Sequence, residues 1–301
     1  MAKQRTANLP DLSSLIDPLD AFTLDIQRVL LRRGSVATPS LSTGEQIAAR
    51  LAGMIALDRI EPGQRLLEEE ICKVLAVSRA PVREAMRILE RDRLLVIAPR
   101  RGARVSGHDA RELRDMFEVR ASLLATLVAA VMRERAAELE ALLAAGTVAL
   151  DAARRVGSRD GYALVSFQLM MRLCWLSSNV LLAEMVQSLA LQTLRYARLG
   201  FGQPEAVSRS LRDWRRMLRA VRDGDVESAA ALAATRVRGS CEAALATLGH
   251  TSAGGGSATA TPRRRRRAAS TSPVSPAAGS CRTAGAGRAP RAHHREGSTI
   301  R

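Results

Sequence analysis

Residues 75–89 read LAVSRAPVREAMRIL, and residues 99–105 read PRRGARV. In the first stretch Ser78 is a favourable N-cap, so a helix is predicted from Arg79 to Arg91. Its apolar side chains recur at helical spacing and form one stripe. They are Val82, Ala85, Met86 and Leu89. The helix is therefore amphipathic, with one face for a buried core and the other for solvent or a partner.

The outer face of this helix is strongly basic. Arg79, Arg83 and Arg87 follow one another at four-residue intervals, so their guanidinium groups form one row. The chain has a formal net charge of +16, which favours a polyanionic partner. A basic row alone is also typical of a solvated surface, so the neighbouring elements decide between the two interpretations.

The sequence before the basic helix predicts two further helices. Ser42 and Glu45 have the spacing of a capping box, so a first helix is expected over 43–59. Residues 61–64 read EPGQ and indicate a turn, because proline fixes φ and glycine accepts a positive φ. A short second helix is predicted over 68–75. This order of elements is that of a helix-turn-helix.

The sequence after the basic helix predicts a hairpin. Its two strands are expected over 94–97 and 103–105, and Arg100 and Arg101 lie at the tip between them. Arginines at such a tip suit a minor groove or backbone phosphates, while the basic helix suits a major groove. Residues 41–106 are therefore predicted to form a winged helix-turn-helix that binds double-stranded DNA.

The same residues closely resemble the signature of the GntR family of transcription regulators, almost without gaps over 41–106. The positions that the resemblance implies for DNA contact are Ser78, Arg79, Ala80, Arg83, Arg101 and Gly102. The basic helix face and the hairpin tip add Arg87 and Arg100 to this set. By the resemblance, Arg79 and Arg83 donate to guanine edges or phosphates, and Gly102 lets the wing backbone approach the minor groove.

Residues 109–248 form a long succession of amphipathic helical patterns with almost no strand character. They resemble the FadR-like, or FCD, ligand-binding domain of that family, which implies an antiparallel bundle of six or seven helices. The recognisable parts are residues 117–120, 176–179 and 223–225. The predicted fold is therefore mainly α, with an N-terminal winged helix-turn-helix and a C-terminal all-helical bundle for effector binding and dimerisation.

The resemblance also implies a divalent metal, which most members of the subfamily bind through an aspartate and three histidines. The aligned positions here are Ser166, Met170, Trp214 and Arg236, none of which matches. The four histidines of the chain are His108, His250, His293 and His294, all outside 109–248. We therefore expect no imidazole-based metal site in the bundle and no cofactor.

Two interpretations remain open for the replaced metal position. Met170 and Trp214 are either plain core residues or fill the former metal cavity and leave an apolar pocket. In the second case Arg236 or Arg120 pairs with an acidic group of the ligand. The candidate effector pocket then consists of Arg120, Ser166, Met170, Trp214 and Arg236, and its ligand is a small molecule, expected to be a carboxylate.

The two ends of the chain are expected to lie outside these domains. Residues 1–40 are interpreted as a loosely attached extension with a short helix from Asp20 to Arg33. Residues 251–301 carry ten arginines and one acidic residue in a sequence dominated by small residues, so a disordered tail is predicted. That tail either adds affinity for any DNA through phosphate contacts or is inert.

The cysteines and the N-terminal residues indicate in which cellular compartment the protein is expected. The four cysteines show no CxxC pair or disulfide-like spacing, which favours a reducing cytoplasm. Acidic residues interrupt the first thirty positions, so no signal peptide is expected, and no apolar run is long enough for a membrane.

A chain with these features has three candidate functions. The first is a ligand-responsive regulator, expected to be a repressor, that binds a palindromic operator as a homodimer. The second is an enzyme with an accessory DNA-binding segment, which is disfavoured because the helical region lacks histidine, a glycine-rich phosphate loop and a nucleophile paired with a base. The third is a constitutive DNA-binding protein whose helical domain serves only dimerisation.

Overall fold

The computed structural model describes residue 12 and residues 21–30, 42–98 and 102–254. The elements of these ranges, in chain order, are α1 (Ala21–Leu30), α2 (Thr43–Ala56), β1 (Arg65–Leu66), α3 (Glu68–Leu75), α4 (Arg79–Arg91), β2 (Leu95–Ala98), β3 (Gly102–Val105), α5 (Ala110–Val156), α6 (Arg159–Trp175), α7 (Val180–Gly200), α8 (Pro204–Arg222) and α9 (Val226–Gly254). The predicted fold class, a winged helix-turn-helix followed by an all-helical bundle, is confirmed. We call residues 42–106 the DNA-binding half and α5–α9 the helical bundle.

Local sequence signals set the helices of the DNA-binding half. The predicted capping box is present, since the Ser42 hydroxyl accepts from the Glu45 N–H and the Glu45 carboxylate accepts from the Ser42 N–H. Helices α3 and α4 have the predicted bounds. Helix α2 ends at Ala56, earlier than the expected residue 59, because Asp58 adopts a left-handed conformation with φ 62°. Ser78 is the N-cap residue of α4, but its side chain makes no capping hydrogen bond.

The sheet differs from the predicted two-stranded wing. It has three antiparallel strands in the order β1-β3-β2. Strand β2 pairs with β3 from Leu95 opposite Val105 to Ala98 opposite Gly102, one residue later than the expected 94–97. The additional strand β1 has two residues, too few to show the period-two pattern by which strands are predicted.

Residues that cap or break helices divide the helical bundle. Gly157 ends α5 at φ 73°, the Asn179 side chain accepts from the Leu182 N–H at the start of α7, and Pro204 opens α8. Helix α5 has one further break that was not predicted, at Arg135 with φ −143° and ψ 46°. If α5 is counted as two segments, the described bundle has six, in agreement with the expected six or seven.

Helix α1 is not the loosely attached element that we expected. Ile26 and Leu30 are completely buried, and α1 packs against α2, α6 and α7. The Arg28 guanidinium lies 5.2 Å from the centre of the Trp175 ring, and Arg91 of α4 donates to the Leu30 carbonyl. Helix α1 therefore contacts both the DNA-binding half and the helical bundle. The described helix, Ala21–Leu30, is shorter than the expected helix from Asp20 to Arg33.

Helix α9 extends beyond the predicted end of the bundle at residue 248. It continues to Gly254, so the backbone of His250 lies within it, contrary to our expectation. The rest of the predicted tail, 255–301, lies outside the described residues. In the described ranges, no helix combines the length and the apolar character needed to cross a membrane.

Candidate DNA-binding surface and candidate effector site

The basic face of α4 is exposed as predicted. Arg79, Arg83 and Arg87 are all solvent-exposed, and so are Ser78 and Ala80 at the start of the helix. The opposite side of α4 is buried against α2, where Val82 and Leu89 have no exposed surface. Packing of the apolar stripe thus turns the arginine row outward.

Arg83 has a partner that the sequence did not reveal. Its Nε donates to Oε2 of Glu68 on α3 at 2.9 Å. The two residues are 15 positions apart in sequence, so no helical spacing rule connects them. Because both side chains are partly exposed, at 57% for Arg83 and 35% for Glu68, the pair is solvated and inexpensive to separate.

Between α4 and the sheet lies a groove of about 380 Å³. Its lining includes Glu68, Arg83, Arg87, Ile97 and Gly102. Gly102 has φ 74°, a conformation that other residues rarely adopt, so the start of β3 requires glycine. The other two predicted wing residues, Arg100 and Arg101, lie outside the described residues.

The candidate effector residues are all buried in the helical bundle, but they do not all line one cavity. Arg120, Ser166 and Arg236 do, together with apolar residues of α6 and α7. The cavity has a volume of about 20 Å³, which is room for one water molecule. Met170 and Trp214 are core residues that do not line it. We call this space the arginine cavity.

The two arginines of this cavity are incompletely bonded. Arg120 donates from Nη1 to the Thr193 hydroxyl at 2.8 Å, while its Nε has no partner. Arg236 stacks on the Trp214 ring, with Cζ 4.1 Å from the ring centre, and its Nε and Nη2 have no partner. Burial lowers the pKa of Arg120 to about 10 and that of Arg236 to about 9, where the charge of Arg120 adds to the effect.

The residues at the family's metal position do not fit a divalent metal. A hydroxyl, a thioether, an indole and a guanidinium stand where carboxylate and imidazole are needed, and the guanidinium of Arg236 is itself a cation. Across the described ranges, no group of three or more His, Cys, Asp or Glu side chains could hold a metal ion. Burial also raises the pKa of the nearby Cys174 thiol to about 12, which makes it a poor ligand at neutral pH.

Comparison with known sequences identifies both parts of the chain. The profile described as "Bacterial regulatory proteins, gntR family" matches residues 43–105, and the profile described as "FCD domain" matches residues 115–239. An uncharacterised HTH-type transcriptional regulator of Agrobacterium vitis is 30% identical over 134 residues, 42% of this chain and 78% of that protein. The chain belongs to the GntR family. This GntR protein therefore has a DNA-binding domain of transcription regulators and an FCD domain, a type that binds small-molecule effectors.

Other relatives match a shorter part of this GntR protein. The regulator YdhC of Bacillus subtilis is 35% identical over 89 residues, 30% of this chain and 40% of YdhC. The gluconate operon transcriptional repressor of the same organism is 38% identical over 87 residues, 29% of this chain and 35% of the repressor. The chain thus spans well under half of the length of these two relatives.

Solved structures show the same fold. The structure of a GntR transcriptional regulator from Rhodococcus sp. RHA1 superposes with a TM-score of 0.58 at 24% identity, over 69% of this chain and 99% of that one. E. coli McbR/YncC superposes with a TM-score of 0.61 at 20% identity, over 70% of this chain and 100% of that one. At these identities the likeness extends to the fold and no further.

Proposed function

We propose that this GntR protein is a homodimeric repressor that binds a palindromic operator and releases it when a small acidic metabolite binds at the arginine cavity. The repressor assignment draws on the gluconate operon repressors, which are 35% and 38% identical to this chain over 79 and 87 residues. We place the protein in the cytoplasm because its partner, DNA, is there in bacteria.

In this proposal the operator is contacted by the exposed N-terminal part of α4 and by the wing. The residues concerned are Ser78, Arg79, Ala80, Arg83, Arg87, Arg100, Arg101 and Gly102. On contact with DNA, Arg83 leaves Glu68 and donates to a guanine edge or a phosphate instead. Two copies of α4, one helical turn apart, read the two half-sites.

The observation that carries regulation is that helix α7 contacts both the arginine cavity and the DNA-binding half. Thr193 accepts from Arg120 in the arginine cavity at 2.8 Å. Two residues later, Arg195 bonds Asp58 at the end of α2 at 2.6 Å, and the Tyr196 hydroxyl accepts from the His108 N–H at 3.1 Å. A ligand that repositions Arg120 therefore acts on the same helix that holds the DNA-binding half.

The test is a titration of operator affinity with a panel of acidic metabolites, using fluorescence anisotropy of the full chain on an operator obtained by selection. At least one acidic metabolite is expected to weaken binding about tenfold, the scale of an ordinary allosteric coupling. Thr193→Val removes the acceptor of Arg120 and is expected to reduce this response. Thr126→Val is the matched control, because its exposed hydroxyl bonds only the Ser122 carbonyl on its own helix.

A constitutive DNA-binding protein, whose bundle serves only dimerisation, is the second candidate. The observation in its favour is the volume of the arginine cavity, about 20 Å³, which is too small for a metabolite unless the bundle opens. If no acidic metabolite changes the operator affinity of the wild-type protein by more than twofold, this second function replaces the first.

A further inference from the structure

The arginine cavity contains two buried cationic side chains and no described anion beside them. Arg120 and Arg236 are 7% and 5% exposed. Within the described ranges, neither guanidinium has a carboxylate within 4.0 Å. We propose that this cavity binds a compact dianion directly, through both guanidinium groups and without a metal. The inference rests on the effector site of the proposed function and specifies the charge of its ligand.

The charge balance of the cavity requires more than one negative charge. A buried charge without a partner is strongly unfavourable, and here two of them line the same small space. The Arg120 charge also depresses the pKa of Arg236, so each cation makes the other less stable. A monocarboxylate neutralises one guanidinium, whereas a dianion neutralises both.

Asp213, the carboxylate that acts on Arg236, does not serve this purpose. Asp213 raises the pKa of Arg236, but only as the weakest of the contributing groups. Its carboxylate instead lies 3.8 Å from Arg216, an exposed residue on the same helix. Asp213 is itself buried, at 9% exposed, but it forms no ion pair with Arg236 within 4.0 Å. It therefore compensates Arg236 only weakly and leaves Arg120 without a carboxylate partner among the described residues.

Unused donors in the cavity match the oxygens of such a ligand. Arg120 Nε and Arg236 Nε and Nη2 are buried without hydrogen-bond partners. A carboxylate or phosphoryl group accepts two parallel N–H bonds from one guanidinium, and a second anionic group or oxygen serves the other arginine. Contact of the Arg236 guanidinium with the Trp214 ring restricts the side chain, which reduces the entropy lost when the ligand binds.

The size of the cavity limits the ligand to a few non-hydrogen atoms. At about 20 Å³ it holds one water, so even a small dianion must widen it. The remaining wall is largely apolar and includes Phe167, Leu194 and Phe201, which leaves few groups to bind a long polar tail. Two sources supply this chemistry, namely a short dicarboxylate and inorganic phosphate or a small phosphate monoester.

The experiment compares malonate, inorganic phosphate and acetate at matched ionic strength, with thermal unfolding and calorimetry of the full chain. Malonate or phosphate is expected to raise Tm saturably, with at least tenfold tighter binding than acetate. A response to malonate alone identifies a dicarboxylate ligand, and a response to phosphate alone identifies a phosphate ligand. Absence of saturable binding of both at millimolar concentration, or equal binding of acetate, overturns the proposal.

Arg236→Met tests the residue itself. Without anion we expect Tm to stay equal or rise, because an apolar side chain replaces an unpaired buried charge. The response to the dianion is expected to fall at least tenfold. Arg219→Met is the matched control, since Arg219 is exposed on α8. If Arg236→Met does not fold, Arg236→Lys replaces it, which keeps a charge but loses the two-pronged contact. If a folded Arg236 variant binds malonate or phosphate with wild-type affinity, the arginine cavity is not the binding site.

These measurements need no DNA, so they separate the inference from the proposed function. Dianion binding that leaves operator affinity unchanged supports the inference and rejects regulation. An operator response to a monoacid, without saturable binding of malonate or phosphate, supports regulation and rejects the dianion.

Discussion

Arg195 on α7 donates from Nε to Oδ1 of Asp58 at 2.6 Å, across 137 positions of sequence. The two side chains are only 15% and 24% exposed, so this is a partly buried ion pair between the helical bundle and the DNA-binding half. Asp58 stands at the end of α2 in a left-handed conformation, φ 62°, which aspartate and asparagine adopt more readily than most residues. The pair therefore fixes one point at which the two halves meet.

Replacing Asp58 by asparagine removes the charge and preserves the preferred backbone conformation. We expect the free energy of unfolding to fall by about 1–2 kcal/mol, between the values of exposed and buried charged hydrogen bonds. The effect of acidic metabolites on operator affinity is also expected to shrink, because α7 loses a contact to α2. Chemical denaturation and anisotropy measure the two effects. Glu140→Gln, which breaks an exposed pair with Arg222 inside the bundle, is the control and is expected to change neither.

Arg83→Ala tests the assignment of α4 as the recognition helix. A bidentate arginine contact to a base contributes roughly 1–3 kcal/mol per half-site, so a dimer loses it twice and operator recognition disappears. The fold is expected to remain intact, since the pair with Glu68 is exposed. A gel shift at physiological salt, with Arg222→Ala as the exposed control, measures the loss. Binding of Arg83→Ala near wild-type affinity would contradict the assignment.

Sequence predicted those parts of the fold that local signals determine. Helices α3 and α4 have the expected bounds because their apolar side chains recur at helical spacing within them, although neither helix has a side-chain capping hydrogen bond. Strand β1 and the break at Arg135 carry no such signal. The sequence also grouped Arg120, Ser166 and Arg236, which line one cavity. It did not reveal the Arg83–Glu68 pair, because that contact depends on how two helices pack.

The packing of α1 gives a prediction that the sequence would not have suggested. Ile26 is completely buried, so Ile26→Ala is expected to cost roughly 2–5 kcal/mol of unfolding free energy through lost contacts and a cavity. Leu24→Ala is the control on the same helix, because Leu24 is 40% exposed, and its effect is expected within about 0.5 kcal/mol. If chemical denaturation shows equally small effects for both variants, α1 is loosely attached, as first expected from the sequence.

His108 lies in the segment that joins β3 to α5, and it gives the contact of this segment with α7 a dependence on pH. Burial lowers its pKa below the ordinary 6.5, and Arg195 adds to this, while Glu112 and Asp109 oppose it. The backbone N–H of His108 donates to the Tyr196 hydroxyl at 3.1 Å, and the ring atom Nδ1 lies 3.5 Å from the same oxygen. The folded protein therefore favours neutral His108.

The sign of the effect follows from proton binding. Between the lowered pKa and about 6.5, the unfolded chain binds more protons than the folded one, so stability falls as pH decreases through this range. Well above pH 6.5, and again well below the folded pKa, His108 binds the same number of protons in both states. In those ranges it adds no slope to the plot of unfolding free energy against pH. We expect the unfolding free energy of the wild type to decline more steeply from pH 7.5 to 5.5 than that of His108→Gln. Parallel profiles for His108→Gln and the wild type would show that His108 has the same pKa in the folded and unfolded protein. The contact of His108 with Tyr196 would then add no pH dependence to stability.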